Sequence, residues 1–242
     1  MFDRRRLLLG AAGLLAGPAV AAGDVVYANP LKRPSDIAGF RLEGEAITDF
    51  DLGHLRLRNR LSSDHGQASN FVFWCPEVLP DHIEISWNFT ALEEPGLCIL
   101  FFAAQGLVGA ERVDLFDRRL KPRAGIYDQY TQSDVSALQI AYFRRRWESE
   151  RAFHLCNLRR APGFELLAQG ADPLPDVADA TPPYRIRLRK SGADVAFFIN
   201  DLPILSWRGD PAATPTNGYI GFRQMAPLSA MYGDLEVRRL VT

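Results

Sequence analysis

The stretch Tyr184-Arg185-Ile186-Arg187-Leu188-Arg189 alternates apolar or aromatic residues with arginines without a break. Successive side chains of a β-strand point to opposite faces, so these residues read as a strand with one buried and one wet face. Upstream, Leu97-Cys98-Ile99-Leu100-Phe101-Phe102 is apolar throughout, which predicts a central strand covered on both faces. Working outward, comparable short runs occupy residues 40–46, 54–59, 71–75, 82–90, 137–144, 153–159, 164–169, 195–199, 219–224 and 234–240. Within them Trp87 alternates with Ile83 and Ile85, as a core residue would. Asn200-Asp201, between Phe197-Phe198-Ile199 and residues 203–207, predicts a tight hairpin turn. No long amphipathic helix competes. The expected fold is all-β, a sandwich of two antiparallel sheets with jelly-roll topology, whose concave face can cradle an extended ligand. The proline-rich residues 172–183 predict a long loop inside one domain, residues 23–242.

The chain has 242 residues, 47% hydrophobic and 24% charged, long enough for one sizeable core. Fifteen Phe, seven Tyr and four Trp exclude a disordered chain. The net charge of −1 offers no basic field for nucleic acid. Arg4-Arg5-Arg6 precede a short, glycine-interrupted apolar run that ends in Ala19-Val20-Ala21-Ala22. A charged start, a short apolar stretch and small exit residues read as an export signal over residues 1–22. The paired arginines before Leu7-Leu8 fit its twin-arginine version, with an ordinary secretory signal or an uncleaved anchor as alternatives. A periplasmic or secreted protein is therefore expected, with no membrane insertion of the mature chain. Cys75, Cys98 and Cys156 are odd in number and lack metal-type spacing, and three buried thiols are expected.

Three segments near the C-terminus resemble the concanavalin A-like lectin/glucanase superfamily. They are Pro183-Tyr184-Arg185-Ile186-Arg187-Leu188, Phe197-Phe198-Ile199-Asn200-Asp201 and Gly218-Tyr219-Ile220-Gly221-Phe222-Arg223-Gln224-Met225. More closely, the chain resembles the YesU-like family of bacterial jelly-roll proteins. The matching stretches include Phe73-Trp74-Cys75-Pro76-Glu77, residues 96–104, Tyr142-Phe143-Arg144-Arg145, residues 153–159 and residues 168–173. The resemblance covers most of residues 40–240. It implies a concanavalin A-like jelly roll and a carbohydrate context, and it supplies no catalytic residues. Gln139 and Met231 depart from the family pattern, which would place a histidine and a glutamate there.

Candidate chemistry narrows from this point. A glycoside hydrolase needs two carboxylates about 5–9 Å apart across the bond, and no E-x-D-x-E strand is present. Asp114, Asp117, Asp128 and Glu148 read as exposed loop acids, although acids from different strands could converge. A lyase acting on an acidic glycan needs a proton-moving Tyr or His beside groups that neutralise a carboxylate. His154, Tyr127 and Tyr142 are the expected catalytic residues, with Tyr130 a further candidate. Arg144, Arg223, Gln224, Trp147, Gln129 and Asn157 are the expected substrate-binding residues. Trp147, in a polar stretch, is the expected sugar platform. Alternation puts His154 and Cys156 on one face of their strand, with Asn157 and Arg159 on the other. The histidines show no ligand spacing, so no metal site is expected from them, which leaves open a structural Ca²⁺ held by loop oxygens; no cofactor is expected. The expectation is an exported protein with a carbohydrate ligand, a lyase in the first place, with a non-catalytic lectin-like module or a glycoside hydrolase with acids from different strands as alternatives.

Overall fold

The computed structural model describes residues 22–50, 52–145 and 154–241. The expected export signal therefore lies outside the described residues apart from Ala22, as does Trp147. Among the described residues sixteen strands are present: β1 (Ala22–Asn29), β2 (Arg41–Gly44), β3 (Ala46–Asp49), β4 (Leu55–Asn59), β5 (Phe71–Trp74), β6 (Ile83–Glu93), β7 (Gly96–Val108) and β8 (Glu111–Val113), then β9 (Val135–Arg145), β10 (Leu155–Ala161), β11 (Glu165–Ala171), β12 (Tyr184–Ser191), β13 (Asp194–Ile199), β14 (Leu202–Arg208), β15 (Tyr219–Met225) and β16 (Ser229–Leu240). One four-residue helix, α1 (Asp128–Thr131), joins them. Among the described residues no helix is long and apolar enough to cross a membrane.

The strands form two sheets of eight, and every pairing is antiparallel. The first has the order β14-β13-β12-β6-β16-β4-β3, with β1 also on β16; the second has β11-β10-β9-β7-β15-β5-β2, with β8 on β7. Neighbours distant in sequence, such as β16 beside β6, give the jelly-roll crossings. The Ile199–Leu202 hairpin closes through Asn200 and Asp201, both at positive φ (48° and 66°), the geometry that a two-residue hairpin with right-handed twist requires.

Alternation assigns each strand a core face. Ile85, Trp87 and Phe89 of β6 and Ile186 and Leu188 of β12 meet Leu100, Phe102, Leu138, Ile140 and Phe222 between the sheets. The three cysteines are free and buried within this core. The opposite face of β7, as its apolar run predicts, is also covered. Ile99 and Phe101 join Val72, Trp74, Leu115, Tyr130, Val135 and Ala137 in a second, smaller core on the outer face of the second sheet.

A break in alternation positions the site. Gly96 pairs with Arg145 and Cys98 with Tyr142, so β9 carries one extra residue over that interval. Phe143 sits there at φ 46°, and such a bulge re-aims the side chains that follow it. As a result Tyr142 and Phe143 both enter the inter-sheet core.

Candidate functional site

Residues 114–134, between β8 and β9, fold back over the outer face of the second sheet as a cap. The cap is pinned by charge. Arg123 donates to Glu43 on β2 (Nη2 to Oε1, 2.7 Å) and to the Leu115 carbonyl (2.8 Å). Trp74 Nε1 donates to the other oxygen of Glu43 (2.9 Å), and the Tyr219 hydroxyl donates to Asp114 (2.7 Å). Gly125, at φ 84°, brings the cap so close that a Cβ there would stand 1.9 Å from the Asn70 carbonyl oxygen.

Beside the cap, the same face stays open as a cleft of about 200 Å³. Its floor is Leu97 and Ile99 of β7, Ala141 of β9 and Met225 of β15, and its polar lining is Gln67, Tyr127, Gln139 and Asn157. Arg144, Arg159 and Phe164 complete it. Among the described residues the lining holds two guanidinium groups and no carboxylate. Arg159 lies 4.0 Å from the centroid of the Phe164 ring and donates to the Phe164 carbonyl (2.9 Å). Phe164, at a hairpin tip, remains 36% exposed, enough ring for a ligand to lie against. Among the described residues the Arg144 side chain has no carboxylate partner, and its backbone N–H donates to Asp172 (3.2 Å). Burial, with the neighbouring Arg144 charge, holds the Arg159 guanidinium below its ordinary pKa, against the pull of Tyr127.

Two polar groups in the lining are constrained. The Tyr127 hydroxyl donates to Gln139 Oε1 (2.9 Å). Burial pushes this phenol up to about 12, while Arg223, Arg159 and Arg144 pull it down. Gln139 is 1% exposed, and its Nε2 has no partner. An amide donor left without an acceptor at a cleft wall is what an incoming oxygen would satisfy.

The expected site residues separate. Tyr127, Arg144 and Asn157 line the cleft. Asn157 Oδ1 also accepts from Gln169 Nε2 (2.9 Å). Tyr142 does not belong there: it is fully buried between the sheets, its ring packed against Trp87 and Phe89, and burial pushes its phenol far up. Gln224 is corrected likewise. It alternates with Arg223, so it points into the inter-sheet core and donates to the Tyr232 hydroxyl (3.1 Å). Gln129 staples the cap by accepting from the Ala124 N–H (2.7 Å) and is absent from the lining. Tyr130 is buried in the small core, where its hydroxyl accepts from the Gly125 N–H.

His154 precedes β10 and also lies outside the lining. Its Nε2 is 3.9 Å from Asp176, which with Asp172 pairs with the buried Arg145. Arg223 is on the predicted face but fully buried behind the cleft wall. Arg159, Gln139, Gln67 and Phe164 are site residues that sequence reasoning did not select. Alternation with Asn157 was a sufficient signal for Arg159; nothing in the sequence points to Phe164 or Gln67. Among the described residues no three His, Cys, Asp or Glu side chains cluster as metal ligands would.

With this geometry in hand, similarity to known proteins is informative. The profile of the domain of unknown function DUF1961 matches residues 24–237. YesU of Bacillus subtilis (strain 168) is 47% identical over 222 residues, covering 90% of this chain and 97% of that protein. A crystal structure of a Bacillus subtilis protein of unknown function with a galectin-like fold superposes with a TM-score of 0.85 at 47% identity, over 91% of this chain and 98% of that one. The carbohydrate-binding module CBM66 from Bacillus subtilis shares the fold alone. It has a TM-score of 0.52 at 11% identity, over 83% of this chain and 95% of the module. The expected lectin-like jelly roll is thus the fold observed, and the chain belongs to the DUF1961 family.

Proposed function

We propose that this protein is exported and binds an acidic saccharide in the cleft beside the cap. One observation carries the reading: Arg144 and Arg159 stand with the exposed Phe164 ring in a lining that, among the described residues, contains no carboxylate. Guanidinium groups recognise carboxylates through charge-assisted hydrogen bonds, and an aromatic ring accepts the apolar face of a sugar. The volume, below the ~300–1,000 Å³ of pockets for larger ligands, suits a single sugar ring with its neighbours outside. The shared fold of a carbohydrate-binding module supports the reading.

Binding is a better match to the geometry than turnover. Paired-carboxylate hydrolysis finds no Asp or Glu in the lining among the described residues. The lyase reading narrows to Tyr127, whose hydroxyl is occupied by Gln139 and holds its proton tightly. Calorimetric titration of the mature protein with neutral and uronate oligosaccharides, followed by assay for unsaturated products, tests both readings. Binding of uronates without products is expected. Failure to bind any acidic saccharide overturns the proposal, and unsaturated products would restore the lyase. Export is tested separately: changing Arg4 and Arg5 to lysine should retain precursor in the cytoplasm, and undiminished export would point to the ordinary secretory route.

A further inference from the structure

A third guanidinium stands behind the cleft. Arg223 of β15 is 0% exposed. Its Nη1 donates to the Gly125 carbonyl (2.6 Å) and its Nη2 to Gln67 Oε1 (3.1 Å), while Nε has no partner. Its Cζ is 4.8 Å from the centroid of the Tyr127 ring and 5.8 Å from that of Tyr130. These partners are all neutral. Among the described residues no carboxylate lies within ion-pair distance of Arg223. The other buried cations among the described residues are matched: Arg123 by Glu43, Arg145 by Asp172 and Asp176, and Lys190 by Asp81.

A cation taken out of water without a counter-charge is strongly disfavoured unless something else holds it there. Arginine cannot escape by losing its proton at neutral pH; burial lowers Arg223 only to about 10. Two of its contacts, Gln67 and Tyr127, are themselves walls of the cleft. One layer of side chain therefore separates the charge from a ligand.

We propose that Arg223 is the internal counter-charge of the cleft, making it select an anionic ligand over a neutral one of the same shape. The inference rests on the acidic-saccharide reading above and adds the residue that sets charge selectivity. Arg223 does not touch the ligand; it acts through the low-dielectric wall formed by Tyr127 and Gln67. Salt distinguishes its contribution from that of Arg144 and Arg159, which are half-buried at the open cleft and closer to solvent than Arg223. In about 1 M salt, screening acts within about 3 Å of exposed charges, whereas a buried charge is screened far less. Part of the preference for an anion should therefore survive high salt.

The experiment compares uronate oligosaccharides with their methyl esters, which differ in charge at each uronate. Wild type, Arg223→Met and Arg223→Lys are titrated in low salt and in about 1 M salt, after thermal melts have confirmed folding. The wild type should prefer the acid in both conditions. Arg223→Met should reduce that preference on the order of tenfold, and Arg223→Lys, which keeps the charge, should retain most of it. A folded Arg223→Met protein with the full wild-type preference overturns this inference while leaving the acidic-saccharide reading intact. Should Arg223→Met fail to fold, the wild type decides: a preference that disappears in high salt belongs to Arg144 and Arg159 at the cleft mouth and overturns the inference. No preference for the acid in wild type at low salt overturns both.

Discussion

Strands β7 and β9 each cross two environments on the same outer face of the second sheet. Near one end, Phe101, Val135 and Ala137 lie under the cap in a closed apolar cluster. Towards the other end, Leu97, Ile99, Gln139, Ala141 and Arg144 face the open cleft. Residue type alone does not separate the two halves, since Ile99 borders both. The difference lies in what covers them. The capped half matches Arg123, with Glu43 accepting from both Arg123 and Trp74, and leaves Arg223 without a carboxylate where the cap borders the cleft. Among the described residues the open half leaves Arg144 and Arg159 without a carboxylate partner and Gln139 Nε2 without an acceptor. One half of the face is built for stability and the other for a ligand.

This contrast can be broken most forcefully on the capped side. Glu43→Ala leaves Arg123, 4% exposed, and the Trp74 indole without their acceptor. Removing one partner of a buried pair costs about 3–5 kcal/mol, so denaturant unfolding should show a loss near the lower end of that range. A loss under about 1 kcal/mol would mean that the cap is not held by this pair.

On the open side the effects should reverse. Arg159→Ala or Arg144→Ala should leave the unfolding midpoint nearly unchanged, because among the described residues neither guanidinium is matched to a carboxylate. Each should weaken binding of a uronate oligosaccharide by about 1.5–3 kcal/mol, the value of a hydrogen bond to a charged group. Equal weakening for the methyl ester would show that these arginines act by shape and not by charge.

The smallest expected effect is alkaline, and it falls on Tyr127 at the boundary of the two halves. Its folded pKa of about 12 stands above the reference value of 10.0. A raised folded pKa favours the protonated native form, so this contribution is intact below about pH 10 and is lost as pH rises towards 12. Tyr127→Phe should therefore flatten the decline in stability between pH 10 and 12. An unchanged decline would assign it to the other buried phenols.

Much of the architecture was legible in the sequence, because strand patterning is local and periodic. Alternation in β12, the unbroken apolar run of β7 and the Asn200-Asp201 turn each report the faces that neighbouring residues must present. These signals lead to two antiparallel sheets, a β7 covered on both sides and an inter-sheet core containing Trp87, all of which the structure contains. The same alternation separates His154 and Cys156 from Asn157 and Arg159, and only the latter two line the cleft.

Only the tertiary structure decided the site. Tyr142 and Arg144 have the same parity and would share a face in a regular strand. The left-handed Phe143, forced by the register of β9 against β7, sends Tyr142 inward and Arg144 to the cleft. Arg223 lies on the face that alternation assigns it, yet it is buried because a cap from nearly one hundred positions earlier in the chain folds over it, with Gly125 as the contact. Such placements depend on register and on contacts between distant segments. Periodicity carries neither, so the residues of the cleft become readable only once the sheets have closed.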